Sequence, residues 1–418
     1  MNRFFTFFLT FSLFFSFKNT QAQTVLPKGA IPIVVRPPNH SIYKPAKIND
    51  SVEGHFLFDT GADRLSFDQT FYNTSFRNFG SSGFNYGEAR VGGVGTGGIQ
   101  TVPSILDTLD FKFGDHVYRT ADISIRSMKA GHGDFYDGLL GHRYFSENNY
   151  VMEINYADEY MILHNDLSTV DLSGYTKINM EKQEVGINIK FYVPLIIQVN
   201  DTLTIQDTFL FDTGSGNAVY LSTTLTKKYN LHTLNMEKIR AVANHAGVSG
   251  RTTSVSFRAN SVEIGGYKLN DVELAYSEDQ SGSMASAHVA GGLLGSRILH
   301  HFDMVIDFGD SLALYLKPNR NFGIPFENIS IYRGFGYADR SQTLKSWVVR
   351  GFFEGSPAEK SGMQSGDKII FVNGTCVLEI PSEKQHDFWK NLTRVELVVL
   401  RNEEELKFEF ELNSLARF

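Results

Sequence analysis

The hexapeptide Phe56-Leu57-Phe58-Asp59-Thr60-Gly61 occurs a second time, unchanged, as Phe209-Leu210-Phe211-Asp212-Thr213-Gly214, and a small residue follows each copy, Ala62 and Ser215. Three bulky apolar residues ending in Asp-Thr-Gly read as a strand running into a tight turn, whose glycine lets another backbone approach closely. One copy alone is a strand ending in a common turn. Two copies in one chain put two carboxylates, Asp59 and Asp212, in equivalent places, and such a pair can divide the roles of acid and base.

The duplication extends beyond the hexapeptide at a nearly constant offset of 153 residues. Upstream, Tyr43-Lys44-Pro45 with Lys47-Ile48-Asn49-Asp50 answers to Tyr192-Val193-Pro194 with Gln198-Val199-Asn200-Asp201, each an apolar strand closing at an Asn-Asp turn. Downstream, Gly138-Leu139-Leu140-Gly141 before His142-Arg143 matches Gly292-Leu293-Leu294-Gly295 before Ser296-Arg297, at an offset of 154. Strand-patterned pairs follow, Val151 to Leu163 and Met304 to Leu316, and each unit carries a glycine-rich stretch, Val91 to Gly98 and Ala246 to Gly250. One half of this region reads as a copy of the other.

Residues 30 to 320 resemble the retropepsin-type and pepsin-like aspartic proteases. The resemblance rests on the two DTG loops and the two GLLG segments, which in that family pack beneath the loops. It implies an all-β fold of two duplicated β-barrel lobes, with Asp59 and Asp212 as a catalytic dyad acting on a polypeptide substrate. It also implies that Thr60 and Thr213 cross-link the loops through hydroxyls and main chain, while Gly61 and Gly214 make the approach possible. Because one chain holds both copies, a monomer is expected.

Carboxylates held about 3 Å apart cannot both ionise, so such a pair shares one proton. The ionised member takes a proton from a water attacking a peptide carbonyl, and the protonated member donates to the carbonyl oxygen. This chemistry needs no metal and no cofactor. A Ser215 hydroxyl would favour the charged form of its neighbour, so Asp212 is expected to ionise and Asp59 to carry the proton. Asp63 completes a DTGAD string in the first unit where the second has Gly216, so the two lobes are expected to contact substrate unequally.

The stretch 92–98, GGVGTGG, contains a formal G-x-G-x-x-G from Gly93 to Gly98. A dinucleotide fingerprint opens a helix, whereas Ile99-Gln100-Thr101-Val102-Pro103 reads as strand. Gly93, Gly95, Gly97 and Gly98 suit a flap, a hairpin tip that closes over a cleft and excludes water. A glycine loop without function is the bland alternative.

Beyond residue 330 the text changes character. Gly334-Phe335-Gly336-Tyr337, then Gly355-Ser356-Pro357-Ala358, then Gly366-Asp367 and a strand into Asn373-Gly374 resemble a PDZ domain over residues 331–415, a small β-barrel with two helices. Pro381 to Leu392 reads as one of those helices, with Ser382 as its cap. In that family a C-terminal peptide adds a strand and places its carboxylate on the loop that Gly334, Phe335, Gly336 and Tyr337 match. Arg333 either adds charge attraction there or is merely solvated, and Phe335 replaces the more usual aliphatic residue.

At the start, Met1-Asn2-Arg3 precedes an apolar run from Phe4 to Phe17 and a polar NTQAQT, which reads as a secretory signal over residues 1–22. The run is short for a membrane span, so an exported, periplasmic or secreted chain without stable membrane insertion is expected, with an uncleaved anchor as the alternative. Lobes over residues 23–172 and 173–322 and the PDZ domain complete the layout. Among 418 residues Cys376 is the single cysteine, which rules out an internal disulfide, and 37 glycines with 13% aromatic residues favour β structure. A formal charge of −7 with dispersed Lys and Arg disfavours nucleic acid, and His300-His301 lacks metal-ligand spacing. The expected protein is an exported aspartic endopeptidase whose PDZ domain binds peptide tails or gates activity. The rival reading is a catalytically silent clamp that uses the same fold to hold a peptide.

Overall fold

A computed structural model describes residues 26–412, apart from 77–82, 94–95, 97, 186–187, 245–249, 287–288, 290 and 328. The expected signal, and Gly95 and Gly97 of the expected flap, lie outside the described residues. Among the described residues no helix is long and apolar enough to cross a membrane.

The strand Val52–Asp59 pairs antiparallel with Ser41–Ile48 on one side and parallel with Gly138–Gly141 on the other, so that Asp59 lies opposite Gly141. A strand with neighbours on both edges and cover on both faces carries an unbroken apolar run rather than an alternating one. Phe56, Leu57 and Phe58 are accordingly all buried, and Phe56 packs against Phe67, Phe71 and Phe111. The three-residue loop joining Ser41–Ile48 to Val52–Asp59 places Asn49 and Asp50 at φ of 45° and 55°, and the Ser51 N–H closes the turn on the Ile48 carbonyl at 3.1 Å.

The second half repeats this plan. Thr204–Phe211 lies between Asn188–Gln198 and Gly292–Leu294, with Phe211 opposite Leu294, and Phe209 and Phe211 are fully buried. Both GLLG segments thus run alongside the DTG strands as parallel partners. A six-stranded sheet made of both halves joins the lobes, in the order Ile31–Pro32, Tyr160–His164, Val151–Asn155, Phe302–Asp307, Ala313–Pro318, Thr176–Asn179. At its centre Met152 faces Ile306 and Ile154 faces Met304, all buried, so the lobes share apolar cover as well as main-chain hydrogen bonds.

The C-terminal unit has its own core around Trp347 and Trp389. Its strands are Phe335–Arg340, Ser346–Phe353, Lys368–Val372, Arg394–Arg401 and Glu404–Glu411, with helices at Pro357–Lys360 and Gln385–Lys390. The second helix starts later than the sequence suggests. A 3-10 turn occupies Ser382–Lys384, and Lys384 precedes the α-helix without a side-chain cap.

This unit is tied to both lobes. Phe353, Phe352 and Gly351 pair with Ala241, Val242 and Ala243, which extends the second lobe's sheet into the C-terminal unit. On the first lobe the Asp134 N–H donates to the Asp339 carbonyl over 2.7 Å. The Asp134 carboxylate accepts from Arg340 Nε at 2.9 Å and from Thr343 N and Oγ1, each at 2.7 Å. Burial alone would raise its proton affinity, but these donors hold it below the ordinary value. Removing one partner of such a buried pair strands the other, so Asp134→Ala is expected to cost about 3 kcal/mol, read as a lower urea midpoint.

Candidate active site

Each catalytic candidate stands at the end of a rigid central strand, and the two strand ends meet. The Thr60 N–H donates to Thr213 Oγ1 at 3.1 Å, and the Thr213 N–H donates to Thr60 Oγ1 at 3.0 Å. Each hydroxyl donates onward across the lobe boundary, Thr60 Oγ1 to the Phe211 carbonyl at 2.7 Å and Thr213 Oγ1 to the Phe58 carbonyl at 2.9 Å. Both threonines are wholly buried, so all four bonds are shielded from water and fix the register of the two loops.

The carboxyls of Asp59 and Asp212 hydrogen-bond to one another on top of this cross-link. A β-carbon on Gly61 would lie 2.6 Å from the Asp212 carboxyl carbon, and one on Gly214 closer still to that of Asp59. Each glycine therefore makes room for the other lobe's carboxylate. Asp59 Oδ1 accepts from the Ala62 N–H at 3.0 Å, while Asp212 Oδ1 accepts from the N–H groups of Gly214 and Ser215, both at 3.0 Å.

Burial, the charge of Asp59 and the hydrogen bond between them push Asp212 well above the usual carboxylate range. The Lys190 charge and the Ser215 N–H offset only part of that rise. Asp212 therefore holds a proton more readily than an ordinary carboxyl, against the direction that its neighbour Ser215 suggests in the sequence. Ser215 meets Asp212 through its backbone N–H, and one such bond does not outweigh burial beside a like charge.

The lobes differ around this common centre. Asp63 is buried and accepts from Arg143 Nε at 2.7 Å, which ties the first DTG loop to the residues after its GLLG segment. In the second lobe Gly216 stands against Asn39, and the matching arginine, Arg297, pairs instead with Glu273 at 3.1 Å. Lys190, whose Nζ donates to the Gly61 carbonyl, stands in no motif of the sequence. Its counterpart two residues before the repeated tyrosine is Ser41, so the duplication gave it no signal.

Tyr86–Val91 and Gln100–Ile105 pair as the hairpin expected of a flap. Its tip touches the second lobe. The Thr96 N–H donates to the Arg251 carbonyl at 3.0 Å, Ser281 Oγ donates to the Thr96 carbonyl at 2.9 Å, and the Ser283 N–H donates to the Gly93 carbonyl at 3.4 Å. Gly98 has φ of +67°, and a β-carbon there would meet nothing within 4 Å. Arg251 begins the strand that pairs with Ile239–Asn244, so the flap tip rests on the hairpin that also carries the C-terminal unit.

In the C-terminal unit Gly334 has φ of +86° and precedes the strand Phe335–Arg340, which contains Phe335, Gly336 and Tyr337. Arg333, expected on an exposed loop, is buried. Its guanidinium stacks over Phe335, Tyr337 and Trp389 at 4.4 to 5.0 Å, and burial lowers it to about 10. Tyr337 Oη donates to Gln385 and accepts from Trp389 Nε1, which links the strand to the helix beside it. Among the described residues no group of three His, Cys, Asp or Glu could hold a metal ion.

Three histidines, His40, His300 and His301, form a cluster. The His40 and His300 rings stack at 3.7 Å, His301 adjoins them, and burial lowers them to about 4, 2 and 4 respectively. Unfolded histidines titrate near about 6.5, so the unfolded chain binds these protons first. The stability these histidines contribute is complete above that pH and is lost as pH falls toward 4. The urea midpoint is expected to drop steadily over that window.

An aspartyl protease family model matches residues 195–298, which include Asp212, and a PDZ domain model matches residues 326–400. The chain therefore carries an aspartyl protease domain followed by a PDZ domain. Solved structures similar to it include the crystal structure of aspartic proteinase from Irpex lacteus, at 15% identity and a TM-score of 0.43, covering 72% of this chain and 99% of that one. No curated protein matches the chain.

Proposed function

We propose that the chain is an exported aspartic endopeptidase that hydrolyses peptide bonds with a water activated by Asp59 and Asp212. The observation that carries this reading is the reciprocal threonine cross-link, which brings two hydrogen-bonded carboxyls together with glycine on either side. A water between the carboxyls loses a proton to Asp59 as it attacks the peptide carbonyl, and Asp212 donates its proton to the carbonyl oxygen. Collapse of the tetrahedral adduct returns a proton to the leaving nitrogen. The flap excludes competing water while this happens. Both carboxyls come from one chain, which supports a monomer, and the apolar run after Arg3 supports export.

The PDZ domain is proposed to gate the cleft, or to bind a peptide tail that does so. Its pairing with Ala241–Ala243 and its Asp134 contacts touch both lobes, so a shift of the domain is felt at the flap platform and near the first GLLG segment. The test is incubation of the chain from Gln23 onward with a diverse peptide mixture between pH 3 and 8, with new termini read by mass spectrometry. New termini should appear, and the rise in Asp212 should carry the rate above the ordinary carboxylate range before the pair loses its last proton. An unchanged mixture at every pH would overturn the reading.

A further inference from the structure

Lys190 brings a cation to the dyad from an element that neither DTG loop supplies. It lies in Asn188–Gln198, the antiparallel partner of the strand that ends before Asp212, yet its ammonium donates to the carbonyl of Gly61 in the other lobe. Gly61 is the residue whose α-carbon faces the Asp212 carboxyl, so the charge stands one peptide unit from the reacting groups and is felt by Asp212. An ammonium has three donors, and Gly61 is the acceptor found for it among the described residues. Asp63, the further carboxylate of the same loop, is held by Arg143 at 2.7 Å. On the other side of the pseudo-symmetric site the equivalent residues are Ser41 and Gly216, which carry no charge. Lys190 therefore places an ammonium on one side of the dyad where its counterpart in the other half, Ser41, carries no charge.

We propose that Lys190 is a specificity-determining residue that selects an aspartate or glutamate side chain on one side of the scissile bond. The proposal rests on the proteolytic reading above. A substrate carboxylate that reaches the Lys190 ammonium gains a charge-assisted hydrogen bond in a partly desolvated cleft, and a glutamine in its place leaves that donor poorly matched.

The test uses the full chain from Gln23 and peptides matched in all but one Glu or Gln near a cut found in the mixture. The ratio of kcat/KM between the members of a pair is the readout, because a general loss of activity or of folding lowers both and leaves the ratio unmoved. The wild type is expected to favour Glu by about tenfold or more, Lys190→Met to bring the ratio close to one, and Lys190→Arg to restore most of it. A wild-type ratio near one, or a preference that survives in Lys190→Met, overturns the proposal. Should the wild type cut nothing, the proteolytic reading fails by itself. The same ratio is then read from peptides retained by the immobilised Asp59→Asn protein with and without Lys190→Met. Acidic enrichment that depends on Lys190 supports the site, and its absence overturns it.

Discussion

Asp59→Asn and Asp212→Asn each reduce peptide hydrolysis by about 10²- to 10⁴-fold, the share that positioned acid and base groups supply. The two changes fail for different reasons. Asparagine at 59 cannot take the water's proton, and asparagine at 212 cannot give one to the carbonyl oxygen. Neither change is expected to weaken the fold, because the pair is a place where burial and like charge oppose each other, as the raised Asp212 shows. The urea midpoint of each variant should match or exceed that of the wild type. Loss of turnover in a protein of undiminished stability separates a catalytic role from a structural one, and a variant that unfolds early would speak against this account of the site.

The second large effect comes from a single methyl group. In Gly214→Ala the added carbon would sit inside the contact distance of the Asp59 carboxyl, and Gly61→Ala would do the same to Asp212 at 2.6 Å from its carboxyl carbon. The loops cannot simply part to admit it, because four buried hydrogen bonds between Thr60, Thr213, Phe58 and Phe211 hold them. Either the carboxyls separate or the cross-link stretches. A displacement of about 1 Å at reacting groups costs roughly 10²-fold in rate, and overpacking a tight site costs about 1–3 kcal/mol. Both losses are expected together in each variant, measured as kcat/KM and as the urea midpoint. Gly98→Ala is the contrast, since its β-carbon meets open space and only its positive φ is strained.

The two pH effects bear on where such an enzyme works. A raised Asp212 extends the singly protonated dyad to higher pH, while the histidine cluster withdraws stability as pH falls toward 4. Both favour a mildly acidic to neutral range over a strongly acidic one.

Much of this site was legible as text because the duplication set two identical strings against each other. FLFDTG is apolar without alternation because its strand is covered on both faces, and the GLLG segments recur because each lies parallel to a DTG strand. The hairpin turn at Asn49-Asp50 and the Asn373-Gly374 turn, at φ of 48° and 75°, were equally plain, since few residue pairs adopt those angles. What stayed hidden depends on distances across the chain. Lys190 reaches the other lobe's loop, Arg333 turns inward among three rings, and Asp134 meets Arg340 across a separation of 206 residues. The rise at Asp212 was hidden for the same reason. Ser215 is adjacent in sequence and suggests a donor, whereas the decisive influences on Asp212 are burial and a carboxylate 153 positions away.

The measurement that bears most directly on the shared-proton dyad is hydrolysis of one peptide from the mixture, in water enriched in oxygen-18, by the wild type and by Asp59→Asn. Direct attack by activated water requires one heavy oxygen in each new C-terminus made by the wild type, and no product from the variant beyond the small residual rate. Cleavage at an undiminished rate by Asp59→Asn would contradict the account, because the residue assigned as base would then not be needed.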